Sequence, residues 1–174
     1  QPLDFLPDAL YASGCDERGD TTDALLAEAE KAAQQAEIAV VFAGLSDRCE
    51  SEGFDRDDMK LPEGHLRMIE AVTRANPNTV VVLLCGSVVE CPWADRVKAI
   101  LYMGLPGQAG GEAVADLLYG CVNPSGKLAE SWPMAYGDVP SSEIYGKTAD
   151  ALYQEGIYVG YRCYDKAGVP VRWP

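Results

Sequence analysis

Thr79-Val80-Val81-Val82-Leu83-Leu84-Cys85-Gly86 is an unbroken apolar run, rich in β-branched residues, that ends on a glycine. A strand with one wet face would alternate polar and apolar residues. This one offers no polar position between Val80 and Leu84, so it reads as a strand buried on both faces, as in a parallel sheet. Upstream, Asn76-Pro77-Asn78 closes a helix in which Leu66, Ile69, Ala71 and Val72 share one face, with Pro62 at the expected first helical position. Before that helix, Ile38-Ala39-Val40-Val41-Phe42-Ala43-Gly44 is a second buried strand. It follows a helix predicted over 23–37, capped by Thr21 or Thr22, in which Leu25, Leu26, Ala29, Ala32, Ala33 and Ala36 form an apolar stripe.

Downstream the alternation continues. The turn Glu90-Cys91-Pro92-Trp93-Ala94-Asp95 precedes a strand over 97–102, and the glycine-rich stretch 104–111 leads into a helix closing at Gly120. Strands and helices alternating at these lengths predict a doubly wound α/β domain with right-handed crossovers. The expected fold is a three-layer α/β sandwich with a mostly parallel central sheet of about six strands and helices on both faces. Ala9-Leu10-Tyr11-Ala12-Ser13-Gly14 is a candidate first strand. Lys127-Leu128-Ala129-Glu130-Ser131-Trp132, with no helix after it, is the expected antiparallel edge strand of a mixed sheet. Residues 133–152 read as a long surface loop, and Tyr153, Tyr158, Tyr161 and Tyr164 as an aromatic stretch able to cover an apolar surface. The ending on Trp173-Pro174 reads as an element cut short, and no internal repeat is present.

A chain of 174 residues with 48% hydrophobic content is long enough for one well-filled domain. A net charge of −13 repels phosphate backbones and anionic membrane surfaces, so nucleic acid and membrane are poor partners. No apolar run approaches the roughly 20 residues of a bilayer span, and the residues from Gln1 to Phe5 lack the basic and apolar regions of a signal peptide. Cys15, Cys49, Cys85, Cys91, Cys121 and Cys163 include no Cys-x-x-Cys pair and share the chain with a single histidine, so no metal site and no cofactor are expected and the cysteines read as reduced thiols. The scattered thiols lean toward a cytoplasmic setting, with secretion of a longer protein left open.

Ligands of open α/β sheets gather in loops past the carboxyl ends of the strands. The stretch from Leu45 to Leu61 occupies that place, with Glu50, Glu52, Asp55, Asp57 and Asp58 interleaved with Arg48 and Arg56. Its plain reading is a solvated charged loop, with few apolar residues to anchor it. Other chemistries match less well. Gly44-Leu45-Ser46-Asp47-Arg48 lacks the second glycine of a nucleophile elbow, and His65, early in a helix, reads as a packed or solvent-facing imidazole. Between Gly120 and Gly126 lie five residues where a P-loop has four, and Leu128 stands where Ser or Thr should follow Lys127. The glycines from Gly104 to Gly111 suit a tight turn with close helix packing better than a dinucleotide site. Trp93, Trp132 and Trp173 read as core or domain-interface residues rather than sugar platforms.

Carboxylates remain, and glycosidic hydrolysis uses two of them, one protonated and one ionised. Glu52 is the candidate acid. Gly53 beside it lets the backbone approach a ligand, Glu50 and the aspartates disfavour charge on it, and Arg48 and Arg56 oppose that effect.

Several ordered motifs add up to a resemblance. Glu50-Ser51-Glu52-Gly53-Phe54-Asp55-Arg56 with Leu61-Pro62, then Ala75-Asn76-Pro77-Asn78-Thr79-Val80-Val81-Val82, Pro92-Trp93, Pro106-Gly107-Gln108 and Asn123-Pro124-Ser125-Gly126-Lys127-Leu128, resemble the second domain of glycoside hydrolase family 3 from about Tyr11 to Pro174. The resemblance implies an α/β sandwich packed against a separate catalytic barrel, in enzymes that release β-linked glucose or related sugars with retention. It implies that Glu52, in the loop motif Ser51-Glu52-Gly53, is the general acid/base, with Glu50 the runner-up and a candidate substrate-binding residue. The nucleophile would be an aspartate of the barrel, so residues 1–174 are expected to be one sandwich domain of a larger enzyme and inactive alone. The implied partners are a β-linked glucoside and the missing barrel, with a homo-oligomer left open. Two departures, Cys49 where an aromatic is common and His65 where glutamine is common, bear on subsite detail. The competing readings are a small-molecule-binding module of flavodoxin-like architecture and a non-catalytic sugar-binding domain using Trp93 and the tyrosines.

Overall fold

The apolar run at Thr79 forms β2 (Thr79–Leu84) in the computed structural model, which describes residues 1–174. On one side it pairs with β1 (Ala39–Gly44), Val41 facing Val81, and on the other with β3 (Ala99–Tyr102), Val82 facing Leu101. Both pairings are parallel, in the order β1-β2-β3. As the middle strand, β2 has neighbours at both edges and side chains packed on both faces, and Val81, Val82 and Leu83 are fully buried. Each such side chain contributes roughly 1.5–3 kcal/mol on leaving water.

This sheet belongs to the first of two compact units, formed by Gln1–Arg56, Leu61–Ser87 and Trp93–Ser125. Its helices follow the apolar stripes. α1 (Asp23–Gln35) starts where the Thr22 hydroxyl accepts a hydrogen bond from the Leu25 N–H at 3.3 Å. α2 (Glu63–Ala75) begins one residue later than expected, because Pro62 takes the cap position instead of the first turn. α1 packs against α2, and α2 also packs against β1 and β2, its buried residues being Gly64, Met68, Ile69, Ala71 and Val72. Two ion pairs join the helices across their exposed rims, Arg67 to Asp23 at 2.8 Å and Arg74 to Glu30. α3 (Gly110–Leu118) packs on the 3-10 turn Pro2–Phe5, and a Cβ at Gly111 would stand 2.9 Å from the Gln1 carbonyl. Glycine at 111, in the first turn of α3, thus serves close packing.

Three expectations change. The sheet of this unit has three strands, all parallel, rather than about six with an antiparallel edge. Ala9–Gly14 is not a strand: Leu10 and Tyr11 are exposed, and the Gly14 carbonyl is taken by the Thr21 hydroxyl at 2.6 Å instead of a neighbouring strand. The edge strand expected over 127–132 reduces to β4 (Trp132–Pro133), since the residues from Cys121 to Glu130 are exposed and interrupted by Pro124 and Gly126.

The second unit comprises Asp57–Lys60, Val88–Pro92 and Gly126–Pro174. In it β4 pairs antiparallel with β5 (Val171–Trp173), and Trp132 meets Trp173 edge-to-face with ring centroids 5.1 Å apart. The Glu90 N–H donates to the Met59 carbonyl at 2.7 Å, and the Glu90 carboxylate accepts from the Tyr136 N–H at 2.9 Å. α4 (Tyr161–Ala167), unforeseen in the tyrosine-rich stretch, is bracketed by Gly160 and by Gly168, the latter in the left-handed conformation that ends a helix. Tyr164 is the buried tyrosine of this stretch, and burial pushes its hydroxyl above the usual value, with the Cys163 thiol next in effect. Tyr153 stays almost wholly exposed, and Lys166 sits 3.8 Å over the ring of Tyr158.

Candidate active site

The acidic loop leaves the sheet where β1 and β2 end together. A Cβ at Gly44 would stand 2.0 Å from the Leu84 carbonyl oxygen, so only glycine allows this approach, and the Leu45 N–H donates to that same oxygen at 3.2 Å. His65 reinforces the point from α2, with Nδ1 3.0 Å from the Gly44 oxygen. Burial holds its imidazole below the ordinary value, partly offset by the Gly44 backbone. It is a packed histidine. From Leu45 the chain makes one helical turn, the N–H groups of Cys49 and Glu50 both donating to the Ser46 carbonyl at 2.8 and 3.0 Å. Arg48 reaches Asp20 at 3.6 Å on the exposed side.

Glu50 then turns onto the end of β2. Both of its carboxylate oxygens lie 3.0 Å from the Gly86 N–H, and the Ser87 hydroxyl donates to Oε1 at 3.3 Å. A Cβ at Gly86 would stand 2.8 Å from Glu50 Oε1, so the missing side chain is what lets the carboxylate reach the backbone. From the other side of the loop, Arg56 Nη1 donates to Ser87 Oγ at 2.8 Å. Glu50, Ser87 and Arg56 are all half-buried, which strengthens such charge-assisted bonds over their exposed counterparts. Under them lies Cys85, fully buried, its thiol pushed up to about 11 by burial first and by the Glu50 charge second.

Glu52 differs in every respect. It is exposed, its carboxylate makes no hydrogen bond or ion pair, and Gly53 next to it takes a φ of 92° with open space around it. Phe54 and Asp55 are exposed too. The sequence singled out Glu50 and Glu52 as a pair, and the structure separates them into a tethered carboxylate and a free one. Beyond Arg56 the chain enters the second unit, where Asp58 accepts from the Lys60 N–H at 2.8 Å in a local turn. The residues that sequence reasoning missed are Gly86 and Ser87. Their signal was available, a Gly-Ser pair directly past the end of the central strand, where ligand-binding loops gather.

The remaining candidates sit elsewhere. Trp93 is 2% exposed and Trp132 is buried, as core residues are. A surface groove of about 330 Å³ lies between α1 and α2, lined by Asp23, Glu30, Arg67, Glu70 and Arg74 among others, none of them in the acidic loop. No group of three or more His, Cys, Asp or Glu side chains is placed to hold a metal ion.

The family described as the glycosyl hydrolase family 3 C-terminal domain matches residues 3–161. The thermostable β-glucosidase B of Acetivibrio thermocellus is 50% identical over 167 residues, which cover 95% of this chain and 22% of that protein. The exo-α-(1→6)-L-arabinopyranosidase of Bifidobacterium breve is 46% identical over 153 residues, 87% of this chain and 20% of that protein. Among solved structures, a GH3 β-glucosidase from Bifidobacterium adolescentis superimposes with a TM-score of 0.89 at 41% identity, over 99% of this chain and 26% of that one. The chain thus spans about a fifth of the length of the curated relatives it matches.

Proposed function

This chain belongs to the glycosyl hydrolase family 3 C-terminal domain family, and from that premise we propose that it is the acid/base-bearing domain of a retaining β-glycosidase acting on non-reducing-end β-glucosides. The observation that carries the reading is the free, exposed Glu52 on a loop whose stem is fastened at the carboxyl ends of β1 and β2. In this reading Glu52 protonates the leaving glycosidic oxygen and then, ionised, takes a proton from the water that releases the sugar. The nucleophile is a carboxylate of a barrel domain outside this chain, about 5–5.5 Å from Glu52 in the assembled enzyme, as retention requires.

Two experiments test this. The isolated chain should show no turnover of aryl β-glucosides; measurable hydrolysis would mean that both carboxylates lie within it. In the full-length protein, Glu52→Gln should lower kcat/KM for poor leaving groups such as cellobiose by about 10²–10⁴-fold, and for dinitrophenyl β-glucoside by far less. Equal losses on the two substrates would remove Glu52 from the acid role.

A further inference from the structure

The loop that carries Glu52 is closed at its base by side chains from both of its ends. Glu50 stands two residues before Glu52 and Arg56 four residues after it, and both converge on the Gly86-Ser87 dipeptide at the end of β2. Ser87 is the link: its hydroxyl donates to Glu50 Oε1 at 3.3 Å and accepts from Arg56 Nη1 at 2.8 Å. A loop of charged residues with few apolar anchors would otherwise sample many conformations, and ordering it afresh at each substrate encounter would raise the barrier.

We propose that Glu50, Ser87 and Arg56 form a stem clamp that holds the segment Ser51–Asp55 in one conformation, so that Glu50 is a positioning residue for Glu52 and not a substrate ligand. The proposal rests on Glu52 being the acid. Glu50's carboxylate oxygens are already engaged by the Gly86 N–H and the Ser87 hydroxyl. Glycine at 86 follows from the same device, because a methyl group there would occupy space 2.8 Å from Glu50 Oε1 and push the clamp open.

The test is made in the full-length protein with Glu50→Ala, Gly86→Ala, Ser87→Ala and Glu52→Gln. Glu50→Ala and Gly86→Ala should lower kcat/KM for cellobiose by about 10–10²-fold while sparing dinitrophenyl β-glucoside, a milder copy of the Glu52→Gln signature, as expected for a displaced acid. Ser87→Ala, which removes one hydroxyl and serves should the larger changes prevent folding, should show the same pattern at about threefold to tenfold. Combined with Glu52→Gln, Glu50→Ala should add less than about twofold, since residues acting through one another do not multiply. Equal losses on both substrates would mark Glu50 as merely structural and overturn the proposal. A raised KM with unchanged kcat and unchanged leaving-group dependence would make it a substrate ligand and overturn it as well. If Glu52→Gln itself lacks the leaving-group signature, the acid assignment falls and takes the positioning role with it. A normal Glu52→Gln beside an unaffected Glu50→Ala refutes the clamp alone.

Discussion

The two ends of β2 are built from polar side chains, yet they do different things. At its start Asn76, 7% exposed, donates through Nδ2 to the carbonyls of Ala33 and Ala36, both at 2.9 Å, and accepts from the Asn78 N–H at 2.8 Å. The buried Thr79 hydroxyl donates to the Asn76 carbonyl at 2.6 Å. Every partner there is neutral, and the network ties the end of α1 to the sheet. At the finish of β2 the partners are a carboxylate and a guanidinium, half-buried, and what they fasten is a loop with an exposed tip. Neutral, buried, fully paired groups secure a fold. Charged, half-wet groups at the carboxyl end, where ligands of parallel sheets gather, hold something in readiness.

The contrast is open to attack by measurement. Its strongest consequence is that Asn76→Ala should destabilise the protein by about 2–4 kcal/mol in urea denaturation, because the buried Ala33 carbonyl and the half-buried Ala36 carbonyl both lose the Asn76 donor, whereas Ser87→Ala should cost about 1 kcal/mol or less. Equal costs would erase the distinction. A second check concerns where dry core gives way to the wet end. Cys85, fully buried and with its thiol pushed up to about 11, should react with iodoacetamide at pH 8 at least about 100-fold more slowly than the exposed Cys121, as read by peptide mass analysis. Comparable rates would mean that the clamp end breathes.

The smallest effect belongs to His65. Its imidazole is held below the ordinary 6.5, so the fold favours the neutral ring: the stabilisation is complete above 6.5 and is lost as the pH falls through the depressed folded value. His65→Gln should therefore flatten part of the decline in urea midpoint between pH 7 and pH 5. An unchanged pH profile would show that the ring next to Gly44 does not titrate within that window.

Much of this was legible in the sequence, for reasons that differ by region. β1 and β2 declared themselves because a strand buried on both faces must be apolar throughout, and α1 because its stripe and its Thr22 cap agree. Ala9–Gly14 misled because an extended pattern does not reveal whether a partner strand exists, and here the Thr21 side chain takes the carbonyl that a strand would use. α4 was hidden by short length and aromatic content, although Gly160 and Gly168 mark its limits. The loop was legible as a site from its place after β1, but the difference between Glu50 and Glu52 was not. That difference depends on residues thirty-six positions downstream of Glu50, and such pairings are fixed only when the strands align.

Gly53 carries a last consequence. Its φ of 92° lies where L-residues are strained, yet no atom lies within 4 Å of the place a side chain would take. The constraint at this position is one of handedness rather than room. An L-alanine fits the space and opposes the torsion, at a cost of about 1–2 kcal/mol, while D-alanine introduced by chemical ligation satisfies both. The shape of the loop tip is thus specified by stereochemistry, through a residue chosen because it has none.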